Sequence, residues 1–126
     1  MPSFYWLKSS RQFHIKHIKL VESLIPAWLP RQKAAKQTLQ EAKEQVADAH
    51  QEVEASRAAG DDVALASAEA RLASAYEAER KAAHVVNIIA YSMQSLEDTA
   101  SHHLQRIMLI EAQQEALAGR WFPRRG

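Results

Sequence analysis

His14 and His17 stand three residues apart, and His102 with His103 form an adjacent pair far along the chain. Imidazole is a common metal ligand, and it is also the side chain whose charge changes in the physiological range. Two positions three apart share one face of a helix. An antiparallel helix carrying His102 and His103 would place them across from His17 and bring the four rings together, with Glu22 and Asp98 facing each other nearby. Imidazole and carboxylate from facing helices can hold zinc or a di-metal centre. The Glu-x-x-His spacing of di-metal bundles is absent, however. His14, His17, His102 and His103 are thus metal candidates only in a secondary sense, and no cofactor is expected. A pH-sensitive contact is the other chemistry open to them, because close imidazoles repel once protonated.

Little else in the chain points to catalysis. The 126 residues include no Cys, which removes a thiolate site, a disulfide and a Cys nucleophile. Three Gly are too few for a phosphate-cradling loop. Glu79 is a solitary carboxylate without the partner that acid–base work needs, and Lys43 is placed to pair with it. Ser9, Ser10, Ser92 and Ser95 lack a nucleophile motif. The expectation is a protein that is not an enzyme.

The elements that must position the histidines are helices. Punctuation is confined to Pro2, the Pro26–Pro30 bracket, Gly60 and the Gly119–Pro123 end. Pro disfavours helix in the residue before it, and Gly after an alanine run accepts the left-handed cap. The spacing predicts helices over 3–25, 31–59 and 62–118, a break at 26–30, a hairpin tip at 60–61 and a tail over 119–126. Ala35, Leu39, Ala42, Val46, Ala49 and Val53 alternate spacings of four and three. The same period runs from Leu65 through Ala68, Leu72, Ala75, Glu79, Ala82, Val86 and Ile89. It continues through Met93, Leu96, Ala100, His103, Ile107, Ile110, Gln114 and Leu117. The fold class is therefore all-α: a long antiparallel, coiled-coil-like hairpin with a Pro-broken N-terminal helix. Residues equidistant from Gly60 should face each other. That pairs Phe13 with Ile107, Leu20 with Ala100 and Leu24 with Leu96. A compact three-helix bundle, with the first segment folded over at the prolines, is the alternative.

Away from the tip both strands of the hairpin are apolar on several faces, which implies burial on several sides. Two helices cannot supply that, so a homodimer forming a four-helix bundle is expected. The interface residues are then Phe13, Leu20, Leu24, Trp28, Ile89, Met93, Leu96, Ile107 and Ile110.

Charge divides along the chain although the net charge is only +1. Residues 1–36 carry seven Lys and Arg against Glu22 alone, whereas residues 37–98 carry five basic and twelve acidic side chains. The hairpin gathers its basic ends at one pole. Lys8, Arg11, Lys16, Arg120, Arg124 and Arg125, beside Trp6, Trp121 and Phe122, define a nucleic-acid-binding alternative by phosphate contact and stacking. No DNA-reading module is visible, and charge alone is nonspecific. The leading expectation is a protein–protein interaction module, such as an adaptor, chaperone or inhibitor of a larger bacterial or phage-targeted machine. No apolar run is long enough for a membrane span and no secretory signal is visible, which points to a cytoplasmic protein.

Overall fold

The computed structural model describes residues 3–121, with side chains described as far as Gly119. Two helices account for these residues: α1, Phe4–Ala59, and α2, Asp62–Trp121. Among the described residues there is no strand, and no helix is long and apolar enough to cross a membrane.

Both helix starts are capped by short polar side chains. The Trp6 amide donates to Ser3 Oγ at 3.1 Å. The Ala64 amide donates to Asp61 Oδ1 at 3.0 Å, while Asp61 O accepts the Leu65 amide at 2.9 Å. Each cap satisfies donors that have no partner inside the helix. The end of α1 is closed by backbone alone. Gly60 has φ 69°, the left-handed conformation that disfavours any Cβ. Its amide bonds Arg57 O at 3.2 Å, and the Asp61 amide bonds Ser56 O at 3.3 Å. These two bonds are the Schellman pattern, so Gly60 ends one helix one residue before Asp61 caps the next.

The sequence reading places a break at Pro26–Pro30; α1 is instead continuous through both prolines. Each proline removes one i→i−4 bond, leaving the carbonyls of Glu22 and Pro26 without their helical donors. Both residues are exposed, so water can serve those carbonyls. The compensating factor is the seam. Leu7, Arg11, His14, Ile18, Val21, Ile25, Trp28, Gln32 and Ala35 alternate four and three without a phase slip, and all are buried or half-buried. They join the predicted seam from Ala35 to Val53 in the same phase. Interrupting the helix at the prolines would cost this burial along the first half of α1. Gly119 likewise fails to stop α2, which runs on to Trp121; Gly weakens a helix interior by about 1 kcal/mol but does not forbid it.

The chain forms two compact units, each containing a part of both helices. Unit 1 comprises Met1–Ala27 with Ser92–Gly126, and unit 2 comprises Trp28–Tyr91. In unit 2 the seam is narrow and alanine-rich. Val46, Ala49 and Ala75 form its buried cluster, with Leu72 packed against them. Arg71 pairs with Glu52 at 3.1 Å, and His50 hydrogen-bonds the Tyr76 hydroxyl, both across the hairpin. Glu79 keeps its place in the seam, half-buried. In unit 1 the buried apolar residues are Leu7, Val21, Ile107 and Ile110. Arg11 Nε donates to Glu111 Oε1 at 3.0 Å across this end of the hairpin.

Candidate functional site: a histidine cluster beside an apolar stripe

The seam of unit 1 carries polar side chains where that of unit 2 carries alanine. His14 and His103 both occupy seam positions, on α1 and α2 respectively, and are half-buried. Their Nδ1 atoms are 2.7 Å apart. A separation this short is a hydrogen bond in which one ring supplies N–H and the other a lone pair. The remaining two rings gather around them. His17 lies 5.3 Å from His103 between ring centroids, and His102 lies 5.8 Å from it. Phe13 stacks at 4.0 Å on His17 and meets His14 edge-on at 5.3 Å. His17 Nδ1 lies 2.9 Å from Phe13 O; a carbonyl only accepts, so that nitrogen carries the proton.

The four sequence-predicted histidines are thus brought together, with the two central rings at hydrogen-bond distance. Two nitrogens bound to one zinc at about 2.0–2.1 Å in tetrahedral geometry stand roughly 3.3 Å apart. The His14–His103 contact is closer than that and is already filled by a proton. Among the described residues no group of three or more His, Asp or Glu is arranged to hold a metal ion. Glu22 is exposed, and Asp98 accepts a hydrogen bond from Gln94 Nε2 at 3.0 Å.

The electrostatics favour neutral rings. The His14 pKa is lowered, first by desolvation and then by His102, Arg106 and His17. The His103 pKa is lowered by desolvation first, then by His14, His17 and His102. Both shifts oppose protonation, first because burial strips water from the charged ring and then because a positive charge beside other imidazoles, and for His14 beside the Arg106 guanidinium, is unfavourable.

The nine residues expected at an interface divide into two sets. Ile89, Ile107 and Ile110 are buried within the chain's own seam, and Trp28, Met93 and Leu96 are half-buried in it. Phe13, Leu20 and Leu24 stand outside the seam and are exposed, so they do not face Ile107, Ala100 and Leu96 across the hairpin. One residue of phase explains the difference. The α1 seam runs through His14, Val21 and Ile25, and the three exposed residues lie immediately before these positions in sequence.

Those exposed residues belong to a second stripe that sequence reasoning missed. Trp6, Ser10, Phe13, His17, Leu20 and Leu24 alternate four and three, parallel to the first seam and one residue behind it. The signal was present in the spacing. It was hidden because the N-terminal segment is apolar on several faces and no single phase stands out.

Of the nucleic-acid alternative's residues, Lys8 and Lys16 are exposed, and Arg11 is engaged by Glu111. The side chain of Arg120 and the whole of Arg124 and Arg125 lie outside the described residues, as do the tail contacts of Trp121 and Phe122. Comparison with protein-family models, curated proteins and solved structures returned no match. The functional reading rests on this chain's own geometry.

Proposed function

We propose that this protein is a non-enzymatic protein–protein interaction module that works as a homodimer, adapting or inhibiting a larger assembly through its helical surface. The observation that carries the reading is the exposed stripe on α1. Trp6, Phe13 and Leu20 recur every seven residues and are 55, 53 and 60 % exposed. A helix with one seam buried and a second in phase beside it has the pattern of a bundle with more than two helices. Among the described residues of unit 1, nine large apolar side chains are exposed and four apolar residues are buried. The hairpin's own seam therefore leaves a large apolar surface of unit 1 uncovered. Exposed apolar patches on this scale mark interaction sites.

The test separates surface from core. Light scattering should give about twice 14.2 kDa at micromolar concentration. Phe13→Asp with Leu20→Asp should yield a monomer with unchanged helicity by circular dichroism, since both side chains are exposed in the single chain. Ile107→Asp should lower helicity and melting together, because it buries an unpaired charge at several kcal/mol. A wild-type monomer at those concentrations would remove the proposal. Retention on DNA or RNA that depends on Lys8 and Lys16 would favour the nucleic-acid reading in its place.

A further inference from the structure

We infer that the stripe face of unit 1 mates with the same face of a second copy, α1 lying against the partner's α2, and that the hydrogen-bonded His14–His103 pair makes this union proton-sensitive. The inference deepens the self-association reading and rests on it.

Three observations specify a second copy as the occupant. The first is extent. Trp6, Phe13, Leu20, Leu24 and Leu109 are 55, 53, 60, 44 and 51 % exposed. At about 200 Å² per large side chain, half-exposure of five leaves roughly 500 Å² of apolar surface per copy. Two copies together offer about 1,000 Å², the lower limit for a specific interface. The second is continuity: Trp6, Ser10 and His14 of α1 line one groove with His102, Arg106 and Leu109 of α2, so both helices contribute to the same face. The third is charge. The α1 part of unit 1, residues 3–27, carries Lys8, Arg11, Lys16 and Lys19 against Glu22. The α2 part with the tail after it, residues 92–126, carries Arg106, Arg120, Arg124 and Arg125 against Glu97, Asp98, Glu111 and Glu115. These are net +3 and zero (four minus one, and four minus four). A two-fold arrangement with α1 against the partner's α2 keeps the two positive arms apart, whereas α1 against α1 sets like charges together.

The proton sensitivity follows from the cluster's place on that face. An Nδ1–Nδ1 hydrogen bond exists only while at least one of the two rings is neutral at that nitrogen. The groups facing the pair are His17 on α1 and His102 and Arg106 on α2. Lys16 and Lys19 are exposed nearby on α1, Arg11 and Glu111 pair with each other, and Asp98 is bonded by Gln94. Covering the face with a second copy removes water from His17, His102 and the pair. A proton gained there would then be buried among positive neighbours. The sign is consistent with the ring environments: a lowered imidazole pKa means the folded ring takes up its proton later than the unfolded one. Stability from the neutral pair is present above the ordinary value of 6.5 and is lost as pH falls below it.

Sedimentation equilibrium of the full chain at about pH 8 and about pH 5 brackets the imidazole range. The wild type should be dimeric at the higher pH, and its dissociation constant should rise at least about tenfold at the lower, the effect of one pKa unit of differential protonation. In His14→Gln with His103→Gln the pair remains polar but does not titrate, and the pH response should fall away. His50→Gln with His84→Gln, both in unit 2, should leave it intact. On wild-type protein, NMR titration should show the His14 and His103 pKa lower in dimer than in dilute monomer. A monomer at both pH values would overturn the self-association reading and this inference together. A dimer of equal affinity at both would leave that reading standing and overturn the proton sensitivity alone. Loss of helicity by circular dichroism at the lower pH would reassign the response to unfolding and overturn it too, as would an unchanged response in the double-Gln variant.

Discussion

Gly60 and Asp61 divide the work of reversing the chain. Gly60 takes the positive φ that closes α1, and Asp61 turns its carboxylate onto the Ala64 amide to open α2. A Cβ added at Gly60 would meet nothing within 4 Å. The cost of replacing Gly60 is therefore conformational and not steric. For Asp61 the cost is an orphaned amide and a lost favourable charge at the helix start. Asp61→Ala is expected to lower unfolding stability by about 1 kcal/mol, whereas Asp61→Asn, which keeps the acceptor, should cost less than half of that. Urea denaturation checks this through a shifted midpoint at constant slope. Gly60 was legible as the helix stop, while the cap stayed open between Asp61 and Asp62, because either carboxylate suits a helix start and only the backbone geometry selects Asp61. The histidine cluster was legible as a gathering of four rings, although the register counted from Gly60 sets His17 opposite His103 where the structure bonds His14 to it. The hydrogen bond between His14 and His103 was not, since spacing predicts proximity and leaves ring rotamers open.

At the level of the element, α2 shows how much a heptad dictates. All sixteen positions from Leu65 to Leu117 that the period selects are buried or half-buried, including the polar Glu79, His103 and Gln114. The period wins over polarity there because a continuous helix cannot rotate one residue out of its seam. In α1 the same rule holds because the helix runs on through Pro26 and Pro30. A break frees the phase of residues 3–25 from that of residues 31–59, and an N-terminal segment apolar all round does not set its own. With the helix continuous, the phase passes backward from Ala35 through Gln32, Trp28 and Ile25 to Leu7. That places Phe13 and Leu20 on the second stripe. The prolines are then a local cost carried by the seam. Arg31 over the Trp28 ring, 5.1 Å from its centroid, adds a cation–π contact between them and the alanine seam. Pro26→Ala with Pro30→Ala should restore two backbone bonds and raise stability by about 1–3 kcal/mol, less than two full proline penalties because the unfolded chain also gains freedom. Thermal and urea unfolding at fixed protein concentration measure the gain; an unchanged or lowered midpoint would mean that the prolines fit α1 without strain.

Across the whole molecule, a net charge of +1 conceals a strong separation. Within unit 1 the described cations lie mainly on α1 and the carboxylates mainly on α2, with Arg11 and Glu111 already joined between them. Most of these groups are exposed, so the pairs add little to stability, and their main effect is on encounter. Two copies approaching with α1 toward α1 set two net +3 arms together and repel, whereas α1 toward α2 meets an arm that is neutral once Arg120, Arg124 and Arg125 are counted. Salt distinguishes the arrangements, since the screening length falls from about 10 Å at 0.1 M to about 3 Å at 1 M. Subunit exchange between donor- and acceptor-labelled protein, followed by fluorescence transfer, gives the dissociation rate, and dilution relaxation gives the association rate. The chain has no native cysteine, so a single introduced one on the exposed face of unit 2 carries each label without side reaction. Raising ionic strength from about 0.05 to about 0.5 M should leave association and dissociation both nearly constant, because the α1-to-α2 approach meets no net like charge and apolar contact holds the formed interface. Faster association at high salt would instead place like arms together. It would overturn the α1-to-α2 arrangement and leave self-association through the Trp6–Leu24 stripe in place.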